Sequence, residues 1–237
     1  MVEERYAIYY APDADGGMWQ RASAWLGRDA ATGEKRTQPT DHGLTPERFD
    51  QLTADPRHYG FHATLKAPFT LAAGKSQDEL IAAAHAFAEA RSAFDAPLSP
   101  QYLGNFLAFR PNAPSPGIQA LHEDAVRQFE PFRAPPTEAD IERRHRSGLD
   151  PRQECLLREW GYPHIFENFR FHMTLSGRVS DTDERARMLD AARAWFAEDC
   201  GLHRFSAISL FHQPDRKSPF TIIAHCPFGA GDGEKPA

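Results

Sequence analysis

Alternating apolar and polar residues mark two short strands that carry nearly the same sequence. They read Phe-His-Ala-Thr-Leu-Lys at 61–66 and Phe-His-Met-Thr-Leu-Ser at 171–176. Successive side chains on a strand point to opposite faces, so the aromatic and aliphatic residues of each copy share one face. The His, the Thr and the last residue share the other face, which is costly to bury unless it lines a site. Each copy therefore predicts a strand with one core face and one polar face available for function.

The rest of the chain predicts a mixture of helices and strands. Ser76 and Glu79 have the spacing of a capping box, and an apolar stripe at intervals of three and four residues follows them. Further helices are predicted over 18–26 and 118–129 and after Thr137, Asp150 and Asp181, and further strands over 6–11, 101–110, 203–213 and 220–226. The polar, irregular run 27–56 predicts a surface insertion or a lid over a binding site.

The same order of elements occurs twice, with a His-x-Thr strand followed by a helix and another strand. The second copy begins 110 residues after the first, from His62 to His172. An internal repeat predicts one domain over 1–228 made of two similar lobes, about 1–113 and 114–228, with an exchange of strands between them allowed. If the lobes pack about a pseudo-twofold axis, each presents one His and one Thr to a central cleft.

Composition and charge limit the partners of this chain. A net charge of −6 over 237 residues is unlike the basic face that extended nucleic acid requires, although local cations could hold a small anion. Cys155, Cys200 and Cys226 form no Cys-x-x-Cys pair, so no disulfide framework is indicated. The acidic start and the lack of a long apolar run predict a cytoplasmic protein without a membrane partner, and a monomer is the default expectation. The Gly-rich end, 229–237, predicts disorder.

Two histidines and two hydroxyl groups around one cleft suit chemistry at a phosphodiester. A neutral imidazole at His62 or His172 can remove a proton from the attacking oxygen, and a protonated one can donate to the leaving oxygen. An unperturbed pKa of about 6.5 lets both forms exist near neutrality, which predicts a bell-shaped pH profile there. No metal or other cofactor is required for these proton transfers. The residues predicted to bind the phosphate oxygens are the remaining members of the two polar faces, Thr64, Thr174, Lys66 and Ser176.

Five further residues are candidates for contacts with the rest of a substrate. Tyr6 and Tyr59 could stack on a sugar or base, although core aromatics are the alternative interpretation. Arg133, Arg170 and Arg178 could hold a second phosphate, and solvent-exposed arginines are the alternative for each.

A metal site is the main chemical alternative. The other histidines at 58, 164, 212 and 225 show no His-x-His or His-Glu-x-x-His spacing and no cysteine at ligand spacing. A Gly-x-Ser-x-Gly nucleophile motif is also absent from the sequence. We therefore expect neither a bound metal nor a serine nucleophile.

The paired motifs resemble those of the two-histidine (2H) phosphoesterase superfamily. That resemblance implies a bilobal α+β fold with two antiparallel sheets and helices around a central cleft, and His62 and His172 as catalytic residues. Segments 6–12, 59–69, 160–163 and 169–175 are similar to a bacterial branch associated with phosphonate metabolism. Similarity to that branch implies 5-phosphoribosyl 1,2-cyclic phosphate as a substrate.

Three functions from different classes remain open at this point. The first is a metal-independent phosphodiesterase that opens a small cyclic phosphate ester. The second is an RNA-end enzyme, either a 2′,3′-cyclic phosphodiesterase or a 2′,5′-RNA ligase, and the acidic composition disfavours it. The third is a non-catalytic nucleotide-binding module, which would have no need for two proton-transfer groups.

Overall fold

Eight strands and seven α-helices build the part of the chain that the computed structural model describes, residues 4–146 and 148–229. The strands are β1 (Arg5–Tyr10), β2 (Ala63–Phe69), β3 (Phe94–Leu103), β4 (Phe106–Pro111), β5 (Met173–Arg178), β6 (Gly201–Phe205), β7 (Ala207–Gln213) and β8 (Thr221–Pro227). They form two antiparallel four-stranded sheets in the orders β2-β1-β7-β8 and β5-β4-β3-β6. The predicted α+β class with two antiparallel sheets is confirmed. The predicted disordered end lies outside the described residues from position 230 onward.

The helices begin where the sequence supplies capping side chains. They are α1 (Gly17–Leu26), α2 (Pro46–Tyr59), α3 (Gln77–Glu89), α4 (Pro116–Gln128), α5 (Glu138–His145), α6 (Pro151–Trp160) and α7 (Thr182–Trp195). The side chains of Ser76, Thr137, Asp150 and Asp181 each accept a hydrogen bond from the backbone N–H three residues later. Because these bonds satisfy donors that have no partner within the helix, the predicted start signals are confirmed.

The segment 27–56, predicted to be irregular, contains most of a helix. Thr45 caps α2 by accepting from the N–H of Arg48, and Pro46 occupies the first turn, where the missing N–H of proline costs nothing. Phe49 and Leu52 are buried on one face of this helix. The prediction of a loop to residue 56 was wrong because the polar residues of α2 lie on its solvent side.

Two stretches predicted as single strands are each two strands. Gly104, with φ of +58°, turns the chain between β3 and β4, which pair with each other as a hairpin. Apolar residues lie on both sides of this turn, so the sequence pattern predicted one strand in place of two. The stretch 203–213 is divided at Ser206 between β6 of the second sheet and β7 of the first.

Each sheet takes strands from both halves of the chain. The hairpin of β3 and β4 belongs to the second sheet, and β7 and β8 belong to the first. The boundary predicted near residue 113 therefore does not separate the two sheets, because strand pairing across the halves decides their membership. One continuous cluster of buried side chains runs through both sheets and includes Leu65 and Leu175 of the two motifs.

Candidate active site

The two His-x-Thr motifs lie side by side in the folded chain. β2 and β5 each stand at the end of their sheet's strand order, and Cα atoms of the two strands come within 8 Å of each other. His62 and His172 are the residues immediately before these strands. This placement brings together two segments that are 110 residues apart in sequence, as the repeat predicts.

Both imidazoles are fixed by the same hydrogen bond. His62 Nδ1 lies 2.9 Å from the carbonyl oxygen of Gly60, and His172 Nδ1 lies 2.6 Å from the carbonyl oxygen of Arg170. A carbonyl oxygen can only accept, so Nδ1 carries the proton in each ring. Each Nε2 is left as the nitrogen that can take up or release a proton.

Two tyrosines hold the His62 ring in place. The ring of Tyr9, on β1, is stacked on it with centroids 3.9 Å apart, and Tyr59, at the end of α2, lies 6.1 Å away in a nearly parallel plane. Tyr9 is paired with Thr64 in the register of β1 and β2, which explains why it reaches the neighbouring His. The hydroxyl of Thr64 lies 3.5 Å from His62 Nε2.

A cavity of about 530 Å³ opens beside these residues, and we call it the His62 cavity. It is lined by Arg5, Tyr9, Tyr59, His62, Thr64, Ala67, Pro68, Arg144, Tyr162 and Arg216. Its volume is within the range that small-molecule sites occupy. No residue of 27–45 lines it, so a lid role for that segment stays a prediction without support from the geometry.

His172 lies near the guanidinium of Arg110 and the ring of His164. Burial is the main cause of its lowered pKa, and positive charge at Arg110 and His164 lowers that pKa further. His164 lies 5.5 Å, centroid to centroid, from Tyr162 of the His62 cavity, which connects the two motifs through one short segment. Phe106 contacts the His172 ring edge-on at 5.4 Å. Thr174, on β5, is partly exposed and pairs with Ala108 of β4.

Burial lowers the pKa of both catalytic candidates. The pKa of His62 falls to about 4, chiefly because desolvation disfavours the imidazolium, and a positive charge on His172 lowers it further. Burial is also the largest cause of the lowered pKa of His172. In each case the hydrogen bond to the backbone carbonyl opposes the shift. At neutral pH the unliganded site therefore holds two neutral imidazoles.

Lys66 does not reach the phosphate position predicted for it. Tyr9 of β1 pairs with Thr64 and the next residue, Ile8, pairs with Lys66, so β2 has a bulge there. A bulge inserts one residue and changes the alternation of side chains. The Lys66 ammonium is consequently buried, donating to Val126 O at 2.9 Å and to the carboxylate of Glu130 at 2.7 Å.

Ser176 is displaced in the same way. Ala108 pairs with Thr174 and Phe106 pairs with Arg178, so two steps along β4 oppose four along β5. Within this irregularity the fully buried Ser176 hydroxyl donates to Gly177 O and accepts from Leu107 N–H. Its predicted role as a phosphate ligand is therefore not supported by its position, because both hydrogen-bonding functions are used within the strand pair.

The other predicted contacts divide between the site and its surroundings. Tyr59 lines the His62 cavity, whereas Tyr6 is a core residue that contacts the His212 ring at a tilted angle and hydrogen-bonds Gln77. Arg133 is held by the carboxylate of Glu130 at the edge of a neighbouring smaller cavity. The guanidinium of Arg170 donates to backbone carbonyls of Glu167 and Phe169. Arg178 is exposed at the end of β5.

Several residues that line the site were not singled out from the sequence. They are Arg5, Tyr9, Arg144, Tyr162 and Arg216. Arg5 and Tyr9 share β1, whereas the other three come from separate segments, and no spacing rule connects the set. The parity of Tyr9 within β1 was the one available signal, and it required knowing that β1 pairs with β2.

Neither a metal centre nor a membrane span is evident in the part of the chain that the structure describes. Its His, Cys, Asp and Glu side chains form no group of three or more suited to hold a metal ion. Its helices include none that combines the length and the apolar character needed to cross a bilayer.

The fold and the two motif histidines define the class of protein. It is an α+β chain with two His-x-Thr strands side by side, each at the end of an antiparallel sheet. This is the arrangement that the resemblance to the two-histidine phosphoesterases implies. The chain belongs to the family described as "Protein of unknown function (DUF1045)", whose family model matches residues 64–221. This match includes the second motif and begins two residues after His62.

Two curated relatives share a name. The chain is 37% identical over 238 residues to "Ribose 1,5-bisphosphate phosphokinase PhnN" of Janthinobacterium sp. (strain Marseille), covering 98% of this chain and 52% of the relative. It is 34% identical over 219 residues to the protein of the same name in Laribacter hongkongensis (strain HLHK9), covering 92% and 50%. The chain thus spans about half the length of the curated relatives it matches.

A solved structure with a similar arrangement is TT0787 of Thermus thermophilus. It is 14% identical, with a TM-score of 0.46, and the match covers 96% of this chain and 98% of that one.

Proposed function

We propose that this chain is a metal-independent phosphodiesterase that opens a small cyclic phosphate ester, with His62 and His172 as general base and general acid. The observation that carries the proposal is the shared anchoring of the two imidazoles. Each donates from Nδ1 to the backbone carbonyl two residues earlier, so each offers Nε2 for proton transfer. Two such nitrogens, one on each side of the phosphorus, can serve an in-line displacement as base and acid.

The proton transfers balance in a single hydrolysis. His62 Nε2 takes a proton from the attacking water, whose oxygen forms a new bond to phosphorus. The ester bond on the opposite side breaks, and the leaving oxygen receives the proton of His172 Nε2. The hydroxyl groups of Thr64 and Thr174 donate to the non-bridging oxygens as negative charge grows on them. After the reaction a proton passes from His62 to His172 through solvent, which restores both rings, and the net change is addition of one water molecule across one P–O bond.

We assign the role of general base to His62. Burial lowers its pKa to about 4, which favours the neutral ring that can accept a proton. The proton of the acid is supplied when the anionic substrate binds, because a nearby negative charge stabilises imidazolium. His172 is then the ring that holds this proton.

The curated relatives support a ribosyl substrate. Their name contains ribose 1,5-bisphosphate. If water opens 5-phosphoribosyl 1,2-cyclic phosphate with O2 as the leaving group, the phosphate stays on C1 and the product is ribose 1,5-bisphosphate. We therefore propose this compound as the substrate and the P–O2 bond as the one that breaks.

The phosphokinase activity in the relatives' name is not proposed for this chain. A P-loop of the form Gly-x-x-x-x-Gly-Lys-Ser uses its first glycine to wrap the backbone around phosphate. Gly74, Lys75 and Ser76 have that ending, but the position of the first glycine is Phe69, a buried residue of β2. Ser76 instead caps α3.

Phosphorus NMR with EDTA present tests the proposed reaction. The substrates are 5-phosphoribosyl 1,2-cyclic phosphate, a 2′,3′-cyclic nucleotide and a short RNA that ends in a cyclic phosphate. We expect the ribosyl ester to open to the 1-phosphate. Opening of the nucleotide or RNA alone would replace the proposal with an RNA-end phosphodiesterase, and activity that EDTA removes and a divalent ion restores would contradict the metal-independent mechanism.

Removing either imidazole should abolish turnover. His62→Ala and His172→Ala each remove one proton-transfer group, which lowers kcat by about 10²- to 10⁴-fold, while substrate affinity stays within about tenfold. Single-turnover kinetics and calorimetric binding measure the two effects separately. His85→Ala, on the exposed face of α3, is the matched control. Full turnover in both site variants would rule out two-histidine catalysis and favour a binding module.

A further inference from the structure

Three tyrosines from separate segments line the His62 cavity. Tyr9 lies on β1, Tyr59 ends α2 and Tyr162 follows α6. Burial is the main cause of the raised pKa of Tyr9 and of Tyr162, and the nearness of Tyr59 raises both pKa values further. The three hydroxyl groups therefore lie near one another, on the wall of the cavity beside the proposed general base.

The rings of these tyrosines are held by contacts with the protein. Tyr9 stacks on His62 with centroids 3.9 Å apart, and Tyr59 stacks on Phe220 with centroids 5.3 Å apart. A guanidinium group lies over the Tyr162 ring, 4.8 Å from its centre. Because the protein already uses ring surface of all three residues, what they offer to a ligand in the cavity is chiefly their hydroxyl groups.

Two of these hydroxyl groups have no protein partner. Those of Tyr59 and Tyr162 form no hydrogen bond with any residue in the part of the chain that the structure describes, and both residues are partly exposed at the cavity. The tyrosines outside the cavity differ, because each hydrogen-bonds a protein group through its hydroxyl: Tyr6, Tyr10 and Tyr102. Tyrosine hydroxyls that are largely buried usually have a partner, so a ligand in the cavity is the natural source of the missing hydrogen bonds.

The chemistry of these groups matches the oxygens of a sugar. A tyrosine hydroxyl that keeps its proton donates one hydrogen bond and accepts others, and the raised pKa values keep Tyr9 and Tyr162 protonated throughout the neutral range. Sugar hydroxyls also donate and accept, and the ring oxygen of a sugar accepts. A nucleobase would instead need an open aromatic face on which to stack.

We propose that Tyr9, Tyr59 and Tyr162 form a subsite that recognises the sugar of the substrate through hydrogen bonds to its hydroxyl groups and ring oxygen. This inference rests on the proposed function, because the subsite lies beside His62. It narrows the substrate class to cyclic phosphate esters of a sugar that carries no base. It also changes the role expected of Tyr59, from stacking on a sugar or base to hydrogen bonding.

The first experiment removes one oxygen at a time from the sugar. The reference substrate is 5-phosphoribosyl 1,2-cyclic phosphate, and the two analogues are its 3-deoxy form and its carbocyclic form, in which a methylene group replaces the ring oxygen. In the unaltered enzyme we expect kcat/KM to fall at least about tenfold for one or both analogues, because a lost sugar oxygen leaves a tyrosine hydroxyl unpaired. Values within about twofold of the reference for both analogues would overturn the subsite.

Substitution assigns this preference to the tyrosines. Tyr59→Phe and Tyr162→Phe remove only a hydroxyl, and each should shrink the ratio of kcat/KM values between the reference substrate and the discriminated analogue by about 3- to 10-fold. Tyr10→Phe is the matched control, because it removes the hydroxyl of a buried tyrosine that bonds His203 and lies outside the cavity. It should leave the ratio unchanged. An unchanged ratio in Tyr59→Phe, in Tyr162→Phe and in the double variant would contradict the proposal.

Binding separates failure of the subsite from failure of the proposed reaction. Calorimetry with ribose 1-phosphate and methyl phosphate, which differ by the sugar, needs no turnover, and circular dichroism checks that each variant is folded. If no cyclic ester is opened but ribose 1-phosphate binds at least about tenfold more tightly than methyl phosphate, and the double variant loses most of this difference, the subsite stands and the phosphodiesterase proposal fails. Equal affinity of the unaltered protein for the two phosphates would contradict the subsite whatever the turnover results.

Discussion

At the scale of single residues, the two motif histidines share an anchor and differ in their neighbours. His62 is stacked on Tyr9 beside the cavity, with Tyr59 farther away, and His172 lies near Arg110 and His164. Both environments favour the neutral ring, the first mainly by desolvation and the second with added positive charge. The unliganded site therefore attracts an anion that can stabilise one imidazolium, and binding and protonation are linked.

The pH profile should reflect these lowered pKa values. Catalysis needs one neutral and one protonated imidazole, a form most populated between the two pKa values of the free enzyme. His62 has a pKa of about 4, and that of His172 is lowered from 6.5. As pH rises above the His172 pKa the acid is lost, and as pH falls below about 4 the base is lost. We expect kcat/KM to peak between about pH 4 and 6.5, more acidic than unperturbed histidines would give.

Steady-state kinetics across about pH 3.5 to 9, in buffers of constant ionic strength, checks this expectation. The kcat profile should lie at higher pH than that of kcat/KM, because the bound phosphate stabilises imidazolium. A kcat/KM optimum above about pH 7, or a profile with one limb, would contradict the assigned roles.

At the scale of elements, both motif strands are irregular at the same place. A bulge follows each Thr and frees backbone groups from the ladder. The carbonyl of Leu65 accepts from His122 Nδ1–H on α4 at 2.9 Å, and the carbonyl of the equivalent Leu175 accepts from Trp25 Nε1–H on α1 at 3.0 Å. Each motif strand thus accepts one hydrogen bond from a buried ring N–H on a neighbouring helix.

The contacts of His122 also connect the two motifs. His122 accepts at Nε2 from the N–H of Phe166, shortly before the second motif, and stacks on Phe169 with centroids 3.7 Å apart. Its pKa is lowered to about 4, chiefly by burial, so it stays neutral and keeps both bonds at neutral pH. One histidine that no motif marks therefore contacts both the first motif strand and the segment that leads into the second motif.

Removing one anchor should weaken the fold measurably. Trp25→Phe keeps the buried ring but leaves the Leu175 carbonyl without its donor, and we expect a loss of about 1–3 kcal/mol in the free energy of unfolding. Urea denaturation followed by circular dichroism measures the loss. Trp195→Phe is the matched control, because Trp195 also donates to a backbone carbonyl, that of Arg21, but lies at the surface where water can replace it. Equal losses in the two variants would show that the buried hydrogen bond contributes no more to the free energy of unfolding than the exposed one.

At the scale of the whole molecule, the two halves of the chain are interlocked. β7 pairs with β1 in the middle of the first sheet, and β3 pairs with β4 and β6 in the second. The helices follow this exchange: α3 packs on β7 and β8, and α7 packs on β3. Neither half of the sequence contains a complete sheet, so the cleft between the motifs depends on both halves folding together.

Fragments divided at the predicted lobe boundary should therefore not fold independently. Residues 1–113 lack β7, which leaves β1 without a neighbour on one side and exposes part of the common core. We expect the isolated fragment to show little cooperative thermal unfolding by circular dichroism. Co-expression of fragment 1–113 with fragment 114–237 is the control, because the two fragments together contain every strand. Cooperative unfolding of 1–113 alone would support two independent lobes instead.

The sequence by itself determined the parts of this protein that local chemistry specifies. Alternation identified the two motif strands, capping residues such as Ser76 and Asp150 located helix starts, and the repeated His and Thr indicated the chemistry of the site. These signals act over a few residues, where hydrogen-bond geometry and side-chain parity leave little choice. Alternation of faces predicted the wrong positions for the side chains of Lys66 and Ser176, because each strand has a bulge there. A bulge depends on how a strand pairs with its neighbour, and the sequence of one segment does not encode that pairing.

Only the tertiary structure decided which distant residues meet. Arg5, Tyr9, Arg144 and Arg216 reach one cavity because β1, α5 and the β7–β8 loop are brought together by strand exchange between the halves. His122 anchors β2 for the same reason. Such contacts are selected by the packing of a shared core and by the pairing of strands far apart in sequence. Both depend on the whole chain, so the two motif histidines could be identified locally and the walls of the His62 cavity could not.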